Sequence, residues 1–166
     1  MQDREQDEVD RLVDAWRREL PKLDVSPLEV LSRVTRLARY LDRARALVFA
    51  QHDLEGWMFD VLSALRRSGI PYQLSPGQLL AQTLVTSGTM TNRVDRLEAA
   101  GLVRRHPDPD DARSVRVRLT STGRRKVDAA LADLVVREDD ILAPLAPADR
   151  TRLANLLRQL VSPFEE

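Results

Sequence analysis

Cysteine is absent from the 166 residues. That excludes disulfides, thiol-based redox sensing and a structural zinc site of the usual cysteine type. Histidine is nearly absent: His52 and His106 stand far apart in the sequence. No His/Glu metal spacing and no Gly-rich phosphate loop accompanies them. The stretch TSGT, residues 86–89, lacks the strand-and-elbow context of a nucleophilic serine. No catalytic residue, metal or cofactor is therefore expected. No apolar run is long enough to span a membrane. The first ten residues are acidic and lack signal-peptide character, so the expected location is cytoplasmic. No internal repeat or low-complexity tract interrupts the chain. An excess of one charge is missing as well: 26 basic residues balance 26 acidic ones.

A neutral chain at first argues against nucleic acid, but the distribution counts for more than the sum. Between Gly101 and Lys126 there are eight Arg or Lys and three Asp, a local charge of +5. Residues 1–10 carry five acids and one arginine, a local −4. Hydrophobic residues at 43% and charged residues at 31% suit a soluble helical protein, one domain long or one protomer of a dimer.

Residues 75–120 hold the most information. Ser75 is a good N-cap, Pro76 suits the first helical position and Gln78 completes a capping box, which predicts a short helix to about Leu84. Thr86 or Ser87 caps a second helix that runs to Ala100, and Gly101 stops it. Met90, Val94 and Leu97 form its apolar stripe. Gly88, Thr91, Asn92 and Asp95 lie opposite, with Arg96 at the edge. Leu102 and Val103 open a strand, PDPDDA is rich in turn formers, and VRVRL alternates with period two. An ordinary amphipathic helix followed by a hairpin has the same pattern. A small outer face of hydroxyls and amides fits groove entry better than a solvated face, which favours Glu and Lys.

The flanks read as helices over residues 7–20, 27–51, 53–68, 121–143 and 147–161, with breaks at Pro21, Gly69 and between Pro144 and Pro147. Val9, Leu12, Val13 and Trp16 share one face of the first. Val30, Leu31, Val34, Leu37, Ala38 and Leu41 recur along the second. The expected fold is mainly α with a small β-wing, in one domain: a winged helix-turn-helix lobe at residues 53–120 with a two-stranded wing. Residues 7–51 and 121–166 supply N- and C-terminal helices mainly for dimerisation. A lone winged helix buries little DNA, so a homodimer on double-stranded DNA is the expected assembly. Completion of a monomer core is the alternative use of those helices.

The run GLVRRHPDPDDARSVRVRLTSTGR resembles the wing and following helix start of the multiple antibiotic resistance regulator (MarR) family. The matching pieces are Gly101-Leu102-Val103, the Asp108-Pro109-Asp110-Asp111 turn, Arg113, Leu119-Thr120 and Gly123-Arg124. The TSGTMTNRVDRLEAAG helix matches in spacing, and with the flanks the resemblance covers nearly the whole chain. It implies a DNA-binding transcriptional regulator, a repressor on a pseudo-palindromic operator. Ser87, Thr89, Thr91, Asn92 and Arg96 are then expected at bases or flanking phosphates. Arg113, steadied by Asp111, is expected at the wing tip in the minor groove.

Arg93 behaves differently. It falls at the margin of the Met90/Val94/Leu97 stripe, where an arginine needs an acceptor, and Asp60 on the preceding helix offers one. A plain Asp60–Arg93 salt bridge between two helices is one reading. The other comes from resemblance: Trp16, Asp60, Arg93 and Arg105 resemble the ligand-site set of the urate-responsive, PecS-like branch of the family. That resemblance implies a small anionic effector between the dimerisation helices and the DNA-binding lobe, urate ahead of citrate or aconitate. Urate is planar and anionic, so an indole face and a guanidinium suit it. A winged-helix module that binds only proteins remains the reading without an effector.

Overall fold

Asp7 sets the first helix. Its carboxylate caps the N–H groups of Val9 and Asp10, and Asp10 returns a bond to the Asp7 N–H, closing a capping box ahead of α1 (Glu8–Glu19). The computed structural model describes residues 6–83, 86–108 and 115–164. The chain forms two compact units, Met1–Arg45 and Ala46–Glu166. In the first, Val9 and Val13 of α1 pack with Val25, with Leu28 against them. Leu28 belongs to α2 (Pro27–Gln51), which crosses from the first unit into the second. Arg33 ties α2 to α1, donating to Asp7 at 2.8 Å and Asp10 at 2.6 Å and to the Glu29 carbonyl. Val30, Leu31, Val34 and Leu37, expected as the apolar stripe of α2, are exposed. Trp16, on the apolar side of α1, is 46% exposed, so it is no core aromatic in this chain taken alone.

The second unit runs α3 (Gly56–Arg67), β1 (Gln73–Leu74), α4 (Pro76–Thr83), α5 (Ser87–Ala99), β2 (Val103–Pro107), β3 (Val115–Leu119), α6 (Ser121–Leu142) and α7 (Pro147–Val161). A single 3₁₀ turn, Ser162–Phe164, follows. The expected two-stranded wing is in fact part of a three-stranded antiparallel sheet, ordered β1-β3-β2. Gln73 pairs with Arg118 and Leu74 with Val117. β1 is only two residues long, too short to show any alternation, so periodicity missed it. In the hairpin, Val103 pairs with Leu119 and Pro107 with Val115. The core packs Leu62 and Leu65 of α3, Leu79 of α4, and Met90, Val94 and Leu97 of α5 against Val103, Val117 and Val127. Burial of this apolar surface is the main stabilising term.

Two glycines have backbone reasons. Gly101 has φ +70°, a left-handed stop after α5. At Gly123 an added Cβ would stand 2.1 Å from the Leu102 carbonyl oxygen, so the first turn of α6 sits directly against the β2 entry. Thr120 caps that turn through the Gly123 N–H and donates to the Gly101 carbonyl. No helix among the described residues is long and apolar enough to cross a membrane.

Candidate nucleic-acid interface

The helix-turn-helix forms from the local signals in residues 75–100. Ser75 and Gln78 exchange bonds as a capping box at α4, at 3.2 and 2.9 Å. Thr86 caps α5: its hydroxyl accepts from the Thr89 N–H and meets the Thr89 hydroxyl at 2.9 Å. Burial of Met90, Val94 and Leu97 turns the opposite side of α5 outward. Ser87, Thr89, Thr91 and Asn92 are all exposed there, a rim of hydroxyls and one amide. Thr91 donates to the Ser87 carbonyl at 3.2 Å. Arg113 and Asp111 lie outside the described residues, so the expected wing-tip contact has no geometry here.

Arg96 is exposed but engaged. It donates to Glu55 at 2.5 Å, and its guanidinium lies 4.7 Å from the Trp57 ring centre. Glu55 also accepts from the Trp57 indole N–H at 2.8 Å. That indole bond, followed by Arg96, holds the Glu55 carboxyl below its usual range. Glu55 and Trp57 thus bracket the last turn of α5 from the start of α3.

The residues expected at an effector site have distinct neighbours. Arg105 on β2 donates to Glu98 at 2.6 Å and to Asp95 at 2.6 Å, both on α5. Its own N–H also bonds Glu98, which with the guanidinium keeps the Glu98 carboxyl low. The triad of one cation and two carboxylates is net negative, so Arg105 in this state repels an anion. Asp95, expected on the groove face, is occupied by Arg105. Arg93 lies 5.5 Å from the Trp57 ring centre and has no carboxylate partner among the described residues. The Asp60–Arg93 ion pair is therefore not formed. Asp60 is exposed and lines a cleft with Phe59, Ser63, Arg67, Gln82 and Thr83. Trp16 lies on α1, in the first unit.

A MarR-family model matches residues 52–114. The chain is 40% identical to the HTH-type transcriptional regulator PecS of Dickeya dadantii over 90% of each protein. The chain belongs to the MarR family. It is also 31% identical to the HTH-type transcriptional repressor NicR of Pseudomonas putida, over 86% of this chain and 91% of NicR. Among solved structures it resembles BpsR of Bordetella bronchiseptica, whose DNA binding is regulated by 6-hydroxynicotinic acid. That match has a TM-score of 0.60 and 29% identity, covering 76% of this chain and 91% of BpsR.

As a MarR-family protein the chain is a winged-helix, DNA-binding transcriptional regulator, and α5 is the second helix of its helix-turn-helix. Sequence reasoning missed three residues around that helix. Glu55 and Trp57 precede or open α3, where the periodic signal concerns only the core. Asp108 reads as a turn former, yet it is buried at 8% exposure and accepts from Arg116 at 2.5 Å across the hairpin. The Arg116 on β3, expected simply to alternate with valine, was the available signal.

Proposed function

We propose that the protein is a homodimeric repressor that binds a pseudo-palindromic operator and is released by a small planar anion, with urate the first candidate. The exposed hydroxyl and amide rim of α5 carries the DNA-binding part. Ser87, Thr89, Thr91 and Asn92 present donors and acceptors without the Glu and Lys of a solvated face. Two recognition helices read half-sites about 10 base pairs apart in this arrangement. The exposed apolar stripes of α2 and of α7, where Leu156, Leu157, Leu160 and Val161 are all uncovered, support the dimer.

Response to a small anion is supported by the likeness to BpsR, whose DNA binding is regulated by an aromatic acid. Of the four residues expected to take the ligand, Arg93 has no carboxylate partner among the described residues, Asp60 lines a cleft, and Trp16 shows an exposed indole. Arg105 joins such a site only after Asp95 and Glu98 let go. A gel shift on the DNA upstream of its own gene, with and without urate, tests this reading. The expected result is a retarded dimer complex released by urate at millimolar levels. No specific complex, or a complex indifferent to urate, citrate and aconitate alike, overturns it.

A further inference from the structure

The three-stranded sheet has one face for the core and one for solvent. Val103 and Val117 are fully buried, and successive strand residues alternate sides. Arg104 and Arg118 therefore stand on the outer face. They are directly paired across β2 and β3, with Gln73 of β1 beside Arg118 in the same row. Both arginines are exposed. Like charges set directly opposite each other destabilise a sheet, and neither arginine has a carboxylate partner among the described residues. Arg105, the next residue along, faces the other way and is engaged by Asp95 and Glu98 of α5. A third guanidinium extends the row on the β1 side. Arg124, in the first turn of α6, lies 5.8 Å from the ring centre of Tyr72, the residue before Gln73. Arg66 lies 4.8 Å from the same ring but is paired with Asp128 at 2.7 Å. Arg124 has no such partner among the described residues. Arg118 and Arg124 share a cleft of about 330 Å³ with Tyr72, Thr120 and Ser121.

We infer that Arg104, Arg118 and Arg124 form a second DNA contact, a track for the phosphate backbone beside the half-site that α5 enters. The inference rests on α5 being the groove helix. Strands lie about 4.8 Å apart, and one DNA strand carries a charge every 3.4 Å or so of helix axis, so a row of guanidiniums meets successive phosphates. Each guanidinium can hold a phosphate through two parallel N–H bonds. A small anion would fill the cleft between Arg118 and Arg124 and leave Arg104 uncompensated. An acidic protein segment is disfavoured because the row holds only arginines and a glutamine, without the apolar anchor on which protein interfaces centre. Ile70 stands exposed at the rim of the cleft, outside that row. β1 leads directly into α4, the first helix of the helix-turn-helix, so a backbone on this face continues past the reading head. Contacts of this kind hold the protein in register on the duplex and carry no sequence information.

The test is fluorescence anisotropy of the full chain on a duplex of generic sequence and on the DNA upstream of its own gene, across a salt series. The proteins are wild type, the triple variant Arg104→Gln/Arg118→Gln/Arg124→Gln, Asn92→Ala in α5, and Arg152→Gln in α7 as a control for loss of charge alone. Circular dichroism melts report folding, and Arg118→Gln should melt no lower than wild type because a like-charge pair is relieved. We expect the triple variant to lose affinity equally on both duplexes. Its slope against the logarithm of salt concentration should fall by about 0.9 for each arginine removed. Asn92→Ala should lose affinity on the upstream DNA only, and Arg152→Gln on neither. An unchanged slope in the folded triple variant overturns the backbone track, assigns the face to some other partner such as an acidic protein, and leaves α5 standing. An equal loss in Arg152→Gln also overturns the track. Asn92→Ala with wild-type affinity for the upstream DNA, beside a weakened triple variant, overturns the reading of α5 and leaves the arginine row as a DNA contact.

Discussion

Glu98 accepts both the backbone N–H and the side chain of Arg105, at 2.8 and 2.6 Å. Glu98 is on the recognition helix and Arg105 on the first wing strand, so these bonds make α5 and the hairpin move together. Glu98→Ala removes both acceptors and should cost about 1 kcal/mol of stability, after allowance for solvent screening. It should also weaken operator binding, because helix and wing no longer share one alignment. Urea unfolding and gel shift on the same variant check the pair of effects. Unchanged affinity in a destabilised protein would refute the coupling.

Glu55 restrains Arg96. Glu55→Gln keeps an acceptor for the Trp57 indole and removes the charge that holds the guanidinium. Arg96, at the edge of the recognition helix, then becomes available to a phosphate. DNA binding should tighten, and its slope against the logarithm of salt concentration should steepen by about 0.9, the worth of one phosphate contact. Weaker binding with an unchanged slope would mean that Glu55 serves only to hold the helix in place.

The Asp7 carboxyl is held down to about 2, first by the Arg33 guanidinium and then by the Asp10 N–H. A lowered acid contributes its stabilisation fully above its ordinary value and loses it as pH falls through the lowered one. The α1–α2 contact should therefore persist through mild acid and loosen only toward about pH 2. Trp16 emission in a Trp57→Phe background follows it. Arg33→Ala should move the transition upward toward the ordinary aspartate range near 3.8. An unmoved midpoint would show that Arg33 does not hold the cap.

Gly123 leaves no space for a methyl group beside the Leu102 carbonyl. Gly123→Ala must push the start of α6 away from β2, with a cost of about 1–3 kcal/mol. The urea midpoint should fall at an unchanged slope. A midpoint equal to wild type would show that the α6 start yields freely.

Most of the architecture was readable in the chain. Caps and stops are local: Ser75 with Gln78, Thr86 and Gly101 act on bonds within four residues, so these helix limits follow from neighbouring residues. Period 3.6 at Met90, Val94 and Leu97, and period two in residues 115–119, identify which faces are buried before any packing is known. The margin position of Arg93 followed from the same angles.

What surrounds a side chain across elements is decided only by the tertiary structure. β1 exists because β3 offers it an edge, and two residues carry no period. Arg105 goes to Asp95 and Glu98, Arg96 to Glu55, and Arg93 to the face of Trp57 and not to Asp60. These choices depend on distances between helices and strands, and charge type alone leaves several partners open to each arginine. The cleft beside Ser63 is likewise a gap between two helices, and spacing within one helix contains no information about it. The amino-acid order by itself determined most helix limits and the buried faces of α5 and β3, because those follow from backbone geometry within a few turns. Only the packed structure decided which carboxylates occupy the arginines and where a space remains for a ligand, because those depend on how separate elements meet.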